Sequence, residues 1–134
     1  MLLYARDSSS THHARARAWL EETLSGTETV AFAWIPLLAF LRVSTNLRVF
    51  TAPLAVDDAL DLIDVWLAQP NATVIHPGDR HPAILRELVE TSGTAGNRTS
   101  DAQLAALAIE HGATLATFDS DFHRFSGVKL ERLA

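Results

Sequence analysis

Apolar residues recur along the chain in short bursts whose spacing changes from one to the next. From His12 to Leu24, Ala16, Trp19, Leu20, Thr23 and Leu24 fall near helical spacing, and Ser25-Gly26-Thr27 ends the run. "TVAFA", residues 29–33, is short and rich in β-formers, which predicts a strand. "WIPLLAFLRVST" predicts a mostly buried helix with Pro36 tolerated in its first turn. A loop over 46–56 holds Pro53. The run "DDALDLIDVWLAQ" that follows is strongly helical in period, with Leu60, Ile63 and Leu67 on one face and Asp57 and Asp58 at its start. "ATVIH" reads as a strand broken by Pro77-Gly78, residues 82–91 as a helix, and "TSGTAGNRTS" as a loop. A helix opened by Asp101, a strand at "ATLATF" and a last strand at "VKLER" complete the series. Near Met1, "LLYA" reads as the tail of a buried strand, and "RDSSST" as a turn and helix start.

Strands alternating with helices predict an α/β domain, with a mainly parallel sheet and helices on both faces. No internal repeat, low-complexity tract or linker interrupts residues 1–134, so a single domain is expected. A chain of 134 residues can bury a core without staples. It has no cysteine, which excludes disulfides and thiolate metal sites and suits a reducing, cytoplasmic setting. The net charge of −5 contains no long run of either sign. That disfavours a broad basic face for nucleic acid but allows a small site that handles a phosphodiester through metal ions. No apolar stretch reaches the ~18 residues of a membrane span, and "MLLYARDSSS" is too short and polar for a signal peptide. The Asn-x-Thr triplets at Asn71 and Asn97 read as chance.

Chemistry concentrates where "SDAQLAALAIEHG" and "ATLATFDSDF" begin and end. A helix of about ten residues travels ~15 Å. A strand of five or so residues returns ~16 Å. Asp101 at the helix N-terminus and Asp119 past the strand C-terminus should therefore share one end of the domain, the end where open α/β sheets bind ligands. Carboxylates held together repel unless a cation compensates, and hard oxygen donors suit Mg2+ or Mn2+. Taken singly, Asp101 reads first as a helix cap, and "DSD" reads equally as a turn.

With these segments in view, "TSDAQLAALAIEHGATLATFDSDFHRFSGVKL" resembles the C-terminal motif region of PIN-domain ribonucleases, most of all the VapC toxins of VapBC toxin–antitoxin pairs. "LLYARDSSSTHHARARAWLEE", "PLLAFLRVSTNLRVF" and "DVWLAQPNATVIHPGDRH" are similar to the same group in order and spacing, so the resemblance covers nearly the whole chain. It implies a three-layer α/β/α domain with a central, mainly parallel sheet. It also implies Mg2+- or Mn2+-dependent endoribonuclease action on RNA, usually tRNA or rRNA. A VapB-like antitoxin that blocks the site and a homodimer are implied as partners. The third and fourth family acids fall on Asp101 and Asp119, with Asp121 as a further candidate for catalysis and metal binding.

Two departures accompany the resemblance. Met1 stands where an Asp-x-Asn-type motif should be finishing, so the first acid is missing; a start assigned several residues late is the favoured explanation, a genuinely shortened toxin its rival. The second family acid, a glutamate, aligns with Ala39. Asp7 reads as a turn or cap rather than a substitute. Two other classes remain in play: a degenerate PIN-like module that binds an antitoxin without cutting RNA, and a receiver-like protein phosphorylated at Asp119. Arg42, Arg48 and Arg98 are candidate phosphate contacts, each read first as solvated or structural. Thr99 and Ser100 read as caps, and the six histidines show no zinc pattern. Trp19, Trp34 and Trp66 read as core or interface residues.

Overall fold

Within the described part of the chain, each predicted element is present. The structure, a computed structural model, describes residues 13–50, 52–93 and 98–133. In order these form α1 (His13–Ser25), β1 (Val30–Phe32), α2 (Trp34–Ser44), α3 (Val56–Leu67), β2 (Ala72–Val74), α4 (His81–Ser92), α5 (Thr99–Glu110), β3 (Thr114–Thr117), a 3-10 turn (Ser120–Arg124) and β4 (Lys129–Arg132). The "LLYA" strand, the "RDSSST" turn, Asp7, His12 and Asn97 lie outside the described residues. The chain divides after Val74 into two compact units.

In the first unit β1 and β2 pair in parallel, Val30 opposite Ala72 and Phe32 opposite Val74. Leu20, Val30, Phe32, Leu37, Phe40, Ala59, Ile63 and Trp66 form its core. Phe40 and Trp66 meet edge to face with ring centroids 4.9 Å apart, an arrangement that favours aromatic quadrupoles. Two expectations need correction here. Ile63 of α3 is buried and Leu67 partly so, as predicted, but the other buried residues are Ala59 and Trp66, and Leu60 is 41% exposed. In α2 only Leu37, Phe40 and Ser44 are buried, whereas Trp34, Ile35 and Leu38 face outward, so the helix is amphipathic in position despite its apolar sequence. Asn71 Nδ2 donates to the carbonyls of both Thr23 and Glu28 at 2.8 Å, clasping the connection between α1 and β1.

In the second unit β3 and β4 are parallel, from Thr114 opposite Lys129 to Thr117 opposite Arg132. Helix α5 buries Ala102, Ala105, Ala106, Leu107 and Ala108. Ala102, Ala105 and Ala106 join Leu88 of α4 and Phe122 and Phe125 around the 3-10 turn in a second core. Methyl side chains let α4 and α5 approach closely. Beyond α5, Gly112 adopts φ +62, and Ala113 N–H returns to the Ala108 carbonyl at 2.8 Å, which turns the chain directly into β3.

The lower end of α5 is tied down by a carboxylate. Glu110 ends the helix, where the macrodipole disfavours negative charge. It accepts from the backbone N–H groups of Gly78 (2.8 Å) and Arg80 (3.1 Å), while Arg80 Nη2 donates to the Glu110 carbonyl. These bonds, Gly78 first, hold the Glu110 carboxyl below its ordinary range, helped by His81 and His111 and opposed by burial. A Cβ on residue 78 would stand 2.6 Å from Glu110 Oε2, so glycine is what permits the close approach. His111 closes the same end, its Nε2 2.7 Å from the His76 carbonyl.

Candidate functional site

At the opposite end of α5 the chain gathers its acids. The helix begins two residues earlier than predicted, with Arg98 as N-cap and no side-chain capping bond. Asp101 therefore lies inside the first turn, and neither it, Thr99 nor Ser100 is the N-cap residue. Its carboxylate still benefits from the helix N-terminus. Asp119 follows β3 in extended conformation, and its Oδ1 accepts the Asp121 N–H at 2.8 Å, capping the 3-10 turn. The Asp119 N–H in turn donates to Thr117 Oγ1 at 3.0 Å. The "DSD" turn is thus real, and it fixes where the carboxylates point.

Electrostatics shows that these groups share one field. The Asp101 carboxyl sits above its ordinary value, first because burial penalises its charge and next because Asp119 repels it, with a smaller push from Asp121 and an opposing pull from Arg98. Arg98 Nη1 pairs with Asp121 Oδ2, and the same nitrogen stands 3.7 Å from Asp101 Oδ2. Arg124 Nη2 approaches the other oxygen of Asp121 at 3.7 Å. The Arg98 guanidinium is held more firmly protonated by this company, Asp121 foremost.

Asp101, Asp119 and Asp121 are therefore brought to one end of the second unit. Among the described residues no three His, Asp or Glu side chains gather closely enough to hold a metal ion unaided. A carboxylate pair still fits Mg2+ or Mn2+, which bind through one or two carboxylates and complete their shells with water and substrate phosphate. The Asp101 carboxyl is raised first by burial and then by Asp119, and a cation would relieve the second of these. Ala39 lies on α2 and offers no donor. Arg42 and Arg48 are exposed on the first unit. Sequence reasoning overlooked the Glu110 tie and the Asn71 clasp; neither has a local signal, since their partners lie 32 and 48 residues away.

Parallel strands flanked by helices, with aspartates after a strand and in the first turn of the preceding helix, accord with a PIN-type fold, and residues 1–128 match the PIN domain family across both compact units. The chain belongs to that family and has its three-layer α/β/α fold with a mainly parallel sheet. Within the family it falls among the VapC ribonucleases. It is 44% identical over 132 residues to Ribonuclease VapC37 of Mycobacterium tuberculosis, covering 98% of this chain and 92% of that one. Ribonuclease VapC33 of the same species is 40% identical over 129 residues, 96% of this chain and 90% of the relative. Among solved structures, VapBC2 from Rickettsia felis bound to a DNA fragment from their promoter superposes with a TM-score of 0.66 at 20% identity, covering 98% of this chain and 92% of that one. No helix among the described residues is long and apolar enough to cross a membrane.

Proposed function

We propose that this chain is a divalent-metal-dependent endoribonuclease that hydrolyses phosphodiester bonds in tRNA or rRNA, and the toxin of a toxin–antitoxin pair. The observation that carries this reading is the gathering of Asp101, in the first turn of α5, with Asp119 and Asp121, on the turn after β3, around the single guanidinium of Arg98. Asp101 and Asp119 would hold Mg2+ or Mn2+. When bound, the ion supplies charge neutralisation at the phosphate and a water of lowered pKa. Asp119 keeps its orientation through the Asp121 N–H and the 3-10 turn. Asp121 adds a carboxylate at the edge of the pair, where it orients the attacking water. The water oxygen bonds to phosphorus as it releases a proton to solvent, the bond to the leaving ribose oxygen breaks, and that oxygen takes up a proton from solvent.

The partners are supported by the VapBC2 complex among the structural neighbours and by the surface. Large apolar side chains stand exposed on the first unit, among them Leu38, Leu47, Val56, Leu60 and Val65. Such exposure is what a protein partner covers. A VapB-like antitoxin and a second copy of this chain are the partners assigned to it, in the cytoplasm, with residues 1–134 acting as one domain. The test is cleavage of a mixed tRNA and rRNA pool with and without Mn2+, beside an identically prepared Asp101→Asn variant. Metal-dependent cutting that the variant loses supports the reading; equal cutting by both removes Asp101 from the chemistry. A second reading, an antitoxin-binding module that cuts nothing, is favoured by Ala39 at the glutamate position. It predicts co-purification with the antitoxin and no cleavage by the folded chain.

A further inference from the structure

Arg98 is an anomaly by position. It is the N-cap of α5, where the helix dipole already supplies positive charge and where a cation is disfavoured. It is placed instead by the carboxylates around it. One nitrogen, Nη1, pairs with Asp121 Oδ2 and also lies within 3.7 Å of Asp101 Oδ2, so a single guanidinium spans two of the three candidate metal ligands. Arg124 approaches the remaining oxygen of Asp121, so both oxygens of that carboxylate have cationic neighbours from this chain. The arginine side chain is 35% exposed, which leaves it solvent to swing into once its partners are taken.

We propose that Arg98 is a built-in competitor for the divalent ion: its guanidinium holds Asp121 and bridges toward Asp101 until the ion claims these carboxylates. The inference rests on the metal-dependent reading above. Its physical basis is competition between cations for the same oxygens. A divalent ion carries twice the charge of the guanidinium and coordinates directly, so it wins at sufficient concentration. It must first displace Arg98, and afterwards it still shares the site with that positive charge. Arg98 thereby sets the metal concentration at which the site is occupied. It is a positioning residue, acting on the carboxylates.

The experiment is a Mn2+ titration of the purified chain followed by electron paramagnetic resonance, which counts free ion without any need for cleavage. Arg98→Gln is expected to bind Mn2+ roughly five- to tenfold tighter than the parent, the effect of removing one unit charge a few ångströms from a divalent ion in a hydrated site. Arg98→Met, similar in length and uncharged, should match it, so the test survives if one variant fails to fold. Arg98→Lys keeps the charge and should stay within about twofold of the parent. Unchanged or weaker Mn2+ binding in folded, uncharged variants would overturn the proposal. If the parent binds Mn2+, Asp101→Asn does not, and Arg98→Gln equals the parent, only the role of Arg98 fails. If no protein binds Mn2+, the metal reading fails with it.

Discussion

The two compact units use opposite packing strategies, and the contrast explains where chemistry is found. The first is filled by large side chains: Leu37, Phe40, Ile63 and Trp66 are buried together, and much apolar surface is left outside. The second is filled around α5 by methyl groups, with Ala102, Ala105 and Ala106 fully buried against Leu88, Phe122 and Phe125. Bulky cores give stability through area removed from water. An alanine face gives proximity, drawing α5 close to α4 and the 3-10 turn, while the matched lengths of α5 and β3 bring the first turn of α5 level with the end of β3. The candidate site lies on the unit whose helix packs closely.

The contrast can be broken deliberately. Phe40→Ala should lower stability by ~3–5 kcal/mol, through lost burial and the cavity beside Trp66, measured by urea unfolding. In the protein that remains folded, the raised Asp101 carboxyl should persist. Ala105→Leu is the converse experiment: overpacking a side chain with no exposure should cost ~1–3 kcal/mol. It should also push α5 outward and return the Asp101 carboxyl toward its ordinary value of 3.8, read by carbon NMR titration. Loss of stability with an unmoved Asp101 would mean that close packing does not set the site.

Smaller effects sharpen the same comparison from the two ends of α5. The carboxyl of Glu110 is depressed in the folded state, so it contributes stability that is complete above its ordinary value of 4.5 and is lost as pH falls through the lower folded value. Glu110→Gln should lower Tm at pH 7, with the deficit closing in acid. Asp101 has the opposite sign. Its carboxyl is raised, so the folded state favours the protonated form, and stability falls as pH rises from the ordinary 3.8 through the raised value. Asp101→Asn should stabilise the metal-free protein by a few tenths of a kcal/mol at pH 7, a small gain because the side chain is one-third exposed. The gain should vanish below pH 3.8.

Much of this was legible in the sequence where the signal was periodic. The order of helices and strands, the parallel pairing and the juxtaposition of Asp101 with Asp119 follow from apolar spacing and from element lengths. The burial of Ala59 in place of Leu60 did not follow, because Leu60 outweighs Ala59 on any hydrophobic scale while Phe40 and Trp66 decide which side of Ile63 is inside. The exposure of Trp34, Ile35 and Leu38 was illegible for a related reason: an apolar run does not state which of its faces finds a neighbour. Arg98 reads first as a solvated or structural arginine and second as a phosphate contact. Its pairing with Asp121 depends on a turn that only the folded chain forms. Asn71 and Glu110 act through backbone groups far along the chain, beyond any local pattern.

The central claim is that Asp101 and Asp119 face each other closely enough to share one charge problem. Its most direct test is the Asp101 pKa, measured by carbon-detected NMR in the metal-free protein and in Asp119→Asn. The account predicts a value above 3.8 that falls in the variant without reaching 3.8, because burial remains when Asp119 is neutralised. A pKa for Asp101 that is the same in both proteins would contradict it.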